Sequence, residues 1–182
     1  FVNIETGEQI AKVALGCKMS DITGFAVSSD KTLAYFGAAS GYIGAVDLTT
    51  HTAKTPLLAG TTNPNTIYEP VVAPNGSIFA GSKNGSVYNV KGDLSAVNWE
   101  HVHTGKAVNN TYNYSHPCVD SENRFYITAG QTTNTSYIFD AEGRVLDSWS
   151  YTGTTAAAQR QMGGNNYLDG VFYSAFIGNG DQ

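Results

Sequence analysis

A phrase of β-forming residues recurs about every 45 residues along this chain and limits what the chain can fold into. Each copy has a short apolar run ending in glycine, a turn of small residues, and a second run closing on Asp or Asn. The copies lie at residues 26–47, 71–90 and 118–140. The glycines that end the first runs are spaced 44 and 49 residues apart: Gly37, Gly81 and Gly130. A period of roughly 40–50 residues built from short strands is typical of β-propeller blades.

Each repeat divides into four antiparallel strands, named A to D from the centre of the ring outward. In the second repeat we expect these strands at residues 70–73, 77–81, 86–90 and 96–103. Asn75-Gly76 predicts a tight primed turn between strands A and B, since both residues tolerate positive φ. The sequence therefore predicts an all-β protein, a β-propeller of four-stranded antiparallel blades with about four blade equivalents in this chain.

Whole blades are predicted at about 22–60, 67–105 and 114–153. Residues 1–15 match an outer half blade, and residues 161–182 match an inner half blade. Because the halves are complementary, they can meet and close a four-bladed ring, which hides the sheet edges. Alternatively, the chain is an arc of a larger ring whose other blades lie outside these residues or on another chain. The arc is favoured because Phe1 falls in the middle of a strand-like phrase.

Composition narrows the possible functions. The 182 residues are 41% hydrophobic, which is enough to bury a core in one domain. The net charge is −5 and the ten basic residues are scattered, so nucleic-acid binding is not expected. The sequence contains no run of 18 apolar residues, so it predicts no membrane-spanning helix, and no signal peptide is visible. Cys17 and Cys118 fall in different repeats, where they are either disulfide-bonded or two buried free thiols.

The blade phrase N-G-S-I-F-A-G-S-K-N-G-S-V-Y-N-V, within residues 70–90, resembles the repeat of the PQQ-like (quinoprotein-type) β-propellers. The opening N-I-E-T-G-E, at residues 3–8, is similar to that family's D-x-x-T-G-E turn. The resemblance covers nearly the whole chain, at the level of the repeat. Such repeats occur in quinone-dependent alcohol dehydrogenases, outer-membrane assembly lipoproteins and many bacterial cell-surface propellers. The resemblance thus implies a fold, and an exported bacterial protein in the periplasm or at the cell surface, rather than one activity.

The chain departs from the dehydrogenase members of that family. Those enzymes carry a tryptophan at the end of most blades, whereas only Trp99 and Trp149 fall at strand D here. The adjacent cysteines that flank the quinone have no counterpart, and neither do the calcium carboxylates or the catalytic aspartate. We therefore expect no quinone and no other cofactor.

Candidate binding residues fall in the loops that surround the channel of a propeller. Glu69 and His116 occupy the same position in adjacent blades, each directly before a proline. A carboxylate and an imidazole there can act as an acid–base pair or bind a polar ligand, or they can merely cap strands.

Loop aromatics and amides accompany this pair. Tyr68, Tyr114 and Asn113 offer flat stacking surfaces and adaptable hydrogen bonds, which suit a sugar or a peptide. The alternative is that the tyrosines pack between blades and the asparagine serves a turn. Arg160 completes the predicted ligand-binding set.

Other site chemistry is poorly supported. His101 and His103 share a strand face, but zinc or copper needs a third ligand that the sequence does not supply. No calcium loop, no G-x-S-x-G motif and no phosphate-binding glycine loop is present. We expect neither a metal site nor catalytic residues.

The leading hypothesis is a non-catalytic, exported β-propeller that binds a protein or a carbohydrate through its channel face. The first alternative is a propeller enzyme, either a hydrolase or lyase or a protein similar to the quinone-dependent dehydrogenases, that uses Glu69 and His116. The second is a structural arc of a larger scaffold, completed by self-association or by further blades on a longer chain.

Overall fold

A computed structural model of the chain describes residues 1–16, 22–60, 66–83, 85–102, 113–114, 117–130, 134–151 and 162–176. Within these ranges the chain forms sixteen β-strands, one 3-10 turn at Ala39–Gly41 and no α-helix. None of the described residues belongs to a helix with the length and apolar character of a membrane span. The secondary structure is almost entirely β, as the repeats predict.

Three antiparallel sheets follow one another along the chain. In the first, called the first blade, the order is β1-β2-β3, and two short strands share the outer edge of β3. Its strands are β1 (Phe25–Val27), β2 (Leu33–Gly37), β3 (Tyr42–Asp47), β4 (Thr52–Ala53) and β5 (Leu57–Leu58). The second blade has the order β6-β7-β8-β9. Its strands are β6 (Val71–Val72), β7 (Ile78–Gly81), β8 (Ser86–Val90) and β9 (Val97–Val102).

The third blade has two short inner strands that both pair with its second strand, β12. Its strands are β10 (Asn113–Tyr114), β11 (Cys118–Val119), β12 (Phe125–Gly130), β13 (Asn134–Phe139) and β14 (Val145–Tyr151). A two-stranded hairpin follows, called the closing hairpin, formed by β15 (Met162–Leu168) and β16 (Val171–Phe176). Consecutive four-stranded antiparallel sheets of this kind are the blades of a β-propeller, which is the fold class predicted from the sequence.

The middle strands of a blade are apolar because both of their faces are covered. Every residue of β7 and β8 is buried, whereas the outer strand β9 alternates between half-buried and exposed positions. The rings of Phe79 and Phe125 show how blades stack, with centroids 4.5 Å apart and 11° between their planes. The blades therefore pack face to face with a separate apolar cluster in each interface, and neither face of a middle strand can be polar without a partner.

The turn between β6 and β7 differs from the primed turn predicted at Asn75-Gly76. Only Gly76 has a positive φ, 82°, whereas Asn75 does not. Pro74 precedes them and holds its own φ near −65°, so the turn takes three residues and only the last is left-handed. A two-residue turn with both residues at positive φ occurs instead in the closing hairpin, at Asp169 (49°) and Gly170 (82°).

Residues 1–16, called the opening segment, are less regular than the outer half blade predicted there. Val2 and Gln9 form an isolated antiparallel bridge, and the Asn3 side chain caps the turn between them by accepting a 2.9 Å hydrogen bond from Glu5 N. Residues 10–16 form no strand, although the predicted half blade at residues 1–15 requires an outer strand there. A pair of outer strands without inner strands beside it is marginal in water, which explains the short pairing. Leu15 is nevertheless buried against the first blade.

The closing hairpin lies at residues predicted to form strands A and B of an inner half blade. It packs on the third blade, where the Tyr126 and Phe172 rings stack with centroids 5.0 Å apart. Residues 84, 103–105, 115–116, 131–133, 152–153, 161 and 177–182 of the predicted units lie outside the described residues. The division of the chain into one propeller domain with two half blades remains a prediction.

Candidate functional site

The predicted site residues come from the linkers that enter each blade. Glu69 stands two residues before β6, next to the buried Pro70. Its side chain lies against Gly24, which enters the first blade. A Cβ placed on Gly24 would lie 2.7 Å from Cγ of Glu69. The residues that lead into two neighbouring blades therefore meet at this end of the sheets, and Gly24 gives the Glu69 side chain its room.

The peptide that precedes Glu69 is held by both blades. Ile67 N donates to Ala38 O at 3.1 Å, and the Thr23 hydroxyl donates to Ile67 O at 2.9 Å. On the second blade, Tyr68 N donates to Gly81 O at 2.8 Å. These bonds fix the backbone from which Glu69 projects.

Gly37 is required where the two blades approach each other. A Cβ at this position would overlap the carbonyl oxygens of both Ile67 and Tyr68. Gly37 is the glycine that ends the first run of the repeat. In the first blade, its lack of a side chain lets the backbone of the second blade come close.

Tyr68 is half-buried and packs against the apolar cluster between the second and third blades. Burial raises the pKa of its phenol above the ordinary value. This environment matches the alternative in which loop tyrosines pack between blades, so Tyr68 offers a ligand only part of its ring.

Asn113 and Tyr114 form β10 at the same end of the third blade. They pair with Gly130 and Ala129 of β12. Tyr114 pairs with Ala129 in the third blade, and Ile67 bridges to Ser82 in the second blade. The two residues therefore hold the same register position in their blades. The backbone thus brings β10 to the same end of the blades as Glu69. His116 and Arg160, the other two predicted ligand-binding residues, lie outside the described residues.

Of the two histidines considered for metal binding, His101 lies in the described part of the chain, and it packs between blades. The His101 ring lies against Tyr137 and Phe139, with centroids 5.4 and 4.9 Å away. Burial lowers the pKa of His101, which favours the neutral imidazole. His103 lies outside the described residues. Among the residues that the structure describes, no group of three His, Cys, Asp or Glu side chains could hold a metal ion.

Sequence reasoning missed a buried carboxylate at the opposite end of the third blade. Asp120 is 2% exposed and accepts hydrogen bonds from Arg124 Nε (2.5 Å), from the Tyr126 hydroxyl (3.0 Å) and from backbone N–H groups. Burial raises its pKa, but the bonds from Arg124, the backbone and Tyr126 outweigh burial and hold it below the ordinary value. Asp140 and Arg144 repeat the arrangement at the next turn. The signal was the repeated D-x-E-x-R at residues 120–124 and 140–144.

Cys118 is half-buried and unpaired. Burial, aided by the charge of Asp120, raises the pKa of its thiol to about 12. A thiol of that pKa is almost never ionised near neutrality, so Cys118 is a poor nucleophile in the folded chain. The predicted alternative of a disulfide involves Cys17, which lies outside the described residues.

Comparison with known proteins supports the fold. No protein-family model matches the chain, and no curated protein matches it. Among solved structures, BamB from Moraxella catarrhalis is 15% identical with a TM-score of 0.58, covering 88% of this chain and 45% of that one. The hydrazine synthase of Kuenenia stuttgartiensis is 12% identical with a TM-score of 0.69, covering 91% of this chain and 45% of that one. The computationally designed Ika4 protein is 17% identical with a TM-score of 0.63, covering 95% of this chain and all of that one.

At these identities the likeness establishes the β-propeller fold and nothing about activity. The chain spans less than half the length of BamB and of the hydrazine synthase chain. The end of the blades where the linkers lead in, called the linker end, carries Glu69 set against Gly24, with the half-buried Tyr68 beside it. This arrangement can accept hydrogen bonds from a ligand and cover part of an apolar surface.

Proposed function

We propose that this chain is a non-catalytic, exported bacterial propeller of the PQQ-like kind that binds a protein or a carbohydrate at its channel face. The observation that carries the proposal is the placement of Glu69 on a peptide held by two blades, with Gly24 making room for its side chain. A rigidly positioned acceptor loses little conformational entropy on binding, which is what a recognition site needs.

The neighbouring residues extend this acceptor into a surface. Tyr68 adds part of an aromatic ring, and β10 brings Asn113 and Tyr114 to the same end of the next blade. Carbohydrates and peptides both present N–H or O–H donors beside flat apolar faces, so they are the ligand classes that this combination suits. His116 and Arg160 enter the proposal from the sequence alone.

The test is a binding screen of the immobilised chain against a glycan array and a peptide library, followed by titration of the strongest probe. We expect Glu69→Gln to weaken that probe by roughly tenfold or more, the usual cost of a charged hydrogen-bond partner. Glu142→Gln is the matched control, because the same change then falls on an exposed carboxylate at the opposite end of the blades. An equal loss of affinity in both variants, or no loss in either, would show that the binding site does not lie on this face.

Glu69→Gln, compared with substitutions of the neighbouring site residues, also tests the enzyme alternative. A catalytic Glu69 would lose nearly all turnover as glutamine while keeping affinity for the substrate, whereas a binding face shows graded losses of affinity across Tyr68, Tyr114 and His116. Unchanged binding in the double variant Tyr68→Ala, Tyr114→Ala would contradict the channel-face proposal.

A further inference from the structure

The outer strand of each blade turns one side chain toward the next unit at the same register position. The three residues are Leu57, His101 and Trp149, which pair with Ile43, Val87 and Ser136. The latter pair in turn with Gly37, Gly81 and Thr128 of the second strands. Leucine and tryptophan carry no charge at any pH, whereas histidine gains one just below neutrality. The second blade therefore carries a titratable group where the first and third blades carry side chains that do not titrate.

His101 meets the third blade through two aromatic rings. Its ring lies edge-on to Phe139, with centroids 4.9 Å apart and 63° between the planes, and its centroid is 5.4 Å from that of Tyr137. The cross-strand neighbour of His101 is Val87, which is buried in the apolar cluster between these blades. A neutral imidazole packs in such surroundings, whereas an imidazolium loses hydration there without gaining a counter-ion.

None of the described residues that face His101 provides a negative charge. On β13 the titratable group is the side chain of Tyr137, a phenol, and phenols are uncharged between about pH 5 and 8. On β14 the residue paired with Tyr137 is Ser148. On β9 itself, Glu100 points to the opposite face because side chains alternate along a strand. His103, predicted on the same face as His101, lies outside the described residues. Within the part of the chain that is described, burial is thus the cause that lowers the pKa of His101.

The direction of the pH effect follows from where the proton is bound. In the packed interface burial holds the pKa of His101 below its ordinary value, whereas an imidazole released into water has a pKa of about 6.5. An interface that has opened therefore binds more protons than a closed one. The closed interface is at full strength above about pH 6.5 and weakens as the pH falls from there through the lowered pKa of His101.

We propose that His101 makes the interface between the second and third blades acid-sensitive. When its imidazole takes up a proton, the ring leaves the aromatic side chains of β13 for water, and the two blades loosen there. The interface between the first and second blades carries Leu57 at the same position and keeps its strength. Acid therefore opens one interface of the chain before the others, which is how a buried histidine acts as a switch.

The same interface supports one of the residues proposed to bind a ligand. Tyr68 packs against the apolar cluster that contains Tyr137 and Phe139, the two residues in contact with His101. Loosening of this cluster therefore reaches the linker end, and acid would weaken a ligand held there. This consequence rests on the proposed function, whereas the acid-sensitive interface itself is independent of any ligand.

The experiment is hydrogen exchange of the full chain at pH 7.5 and pH 5.0, read by mass spectrometry, with labelling times scaled to the intrinsic exchange rate. In the wild type, peptides from β9 and β13 are expected to lose protection at pH 5.0, while β2 and β3 keep theirs. His101→Phe keeps an aromatic ring that cannot be protonated, so its protection is expected to be the same at both pH values. His101→Trp, which copies the third blade, repeats the test with a second side chain. His51→Phe is the matched control, because His51 contacts Phe1 and lies away from this interface.

A titration of the histidine ring resonances by NMR completes the test. The His101 ring is expected to titrate at a lower pH in the folded chain than in the urea-unfolded chain. Titration at the same or a higher pH would overturn the proposal, because it would mean that the neighbouring aromatic rings stabilise the imidazolium. Equal loss of protection in wild type and in both His101 variants, or a loss spread evenly over all blades, would overturn it too. These measurements contain no ligand, so their failure is distinct from failure of the proposed binding function.

Discussion

Trp99 and His101 are side chains through which the outer strand of the second blade contacts the third, and Trp99 makes the larger set of contacts. Its Nε1 donates a 2.9 Å hydrogen bond to Ala141 O. Its ring lies between Phe79 and Phe139, with centroids 5.7 and 5.5 Å away. It also covers Gly143, where a Cβ would lie 2.7 Å from Trp99 Cδ2. Replacing this one residue tests whether contact between blades contributes to the stability of the whole chain.

The expected losses follow from these contacts. Trp99→Phe removes the hydrogen bond, which is worth about 1 kcal/mol. The smaller ring also gives up roughly 40 Å² of apolar contact, or about 1 kcal/mol at ~25 cal/mol per Å². The free energy of unfolding should therefore fall by about 2 kcal/mol for Trp99→Phe, and by about 4 kcal/mol for Trp99→Ala, which also leaves a cavity.

The assay is urea unfolding followed by far-UV circular dichroism, since that signal does not depend on the tryptophan being replaced. Trp149→Phe is the control, because the Trp149 ring meets Phe172 edge-on at 6.0 Å and should lose only about 1 kcal/mol. A loss below about 0.5 kcal/mol for Trp99→Phe would mean that the contact between these blades does not stabilise the fold, which is the outcome that refutes the reasoning.

Three further predictions follow from the described contacts. Gly37→Ala should destabilise the chain by about 2 kcal/mol in the same urea assay, because its Cβ would overlap two backbone carbonyls; an unchanged midpoint would show that the blades can separate there at no cost. The lowered pKa of Asp120 stabilises the fold above the unfolded value of about 3.9 and is lost as pH falls through the folded value. Asp120→Asn should therefore lower the thermal midpoint at pH 7 and flatten its dependence on pH below about 4; parallel pH profiles for variant and wild type would contradict this. In a Cys17→Ala background, Cys118 should react with iodoacetamide at pH 8 about 10³-fold more slowly in the folded chain than in the urea-unfolded chain, since a pKa of about 12 leaves about 1 thiol in 10⁴ ionised. Fast labelling of the folded chain would disprove that.

The sequence predicted the strands of the second blade to within one residue at each end, including the outer strand, expected at 96–103 and found at Val97–Val102. In the second blade, residues 77–81 and 86–90 were expected to be strands, and β7 and β8 occupy Ile78–Gly81 and Ser86–Val90. These strands are buried on both faces, so their apolar runs are unbroken and easy to read. An outer strand also depends on the residues with which it pairs, and its own sequence does not show which residues those are. In the first blade the outer strand is split into β4 and β5 around Pro56, which has no N–H to give to the ladder.

The candidate site was harder to predict because it depends on contacts between blades. The sequence offered Glu69 as a site residue, and the structure adds its contact with Gly24 of the neighbouring blade. The sequence could not show that Tyr68 turns into the cluster between two blades, since that depends on the twist of one sheet against the next. The buried carboxylate of Asp120 was missed for a simpler reason, because a search for apolar runs does not examine the polar residues between them.

The two ends of the blades are held in chemically different ways, and this makes the linker end the better place for a binding surface. At the turn end, side chains such as Asp47, Asn75 and Asp120 accept backbone N–H groups, so changing them removes bonds that shape the turn. At the linker end, the peptide before Glu69 is held by main-chain atoms and Thr23. Substitutions of the Glu69 side chain leave those bonds in place. Evolution and mutagenesis can therefore alter recognition at that end while the backbone that presents it stays fixed, which is how rigid scaffolds carry variable sites.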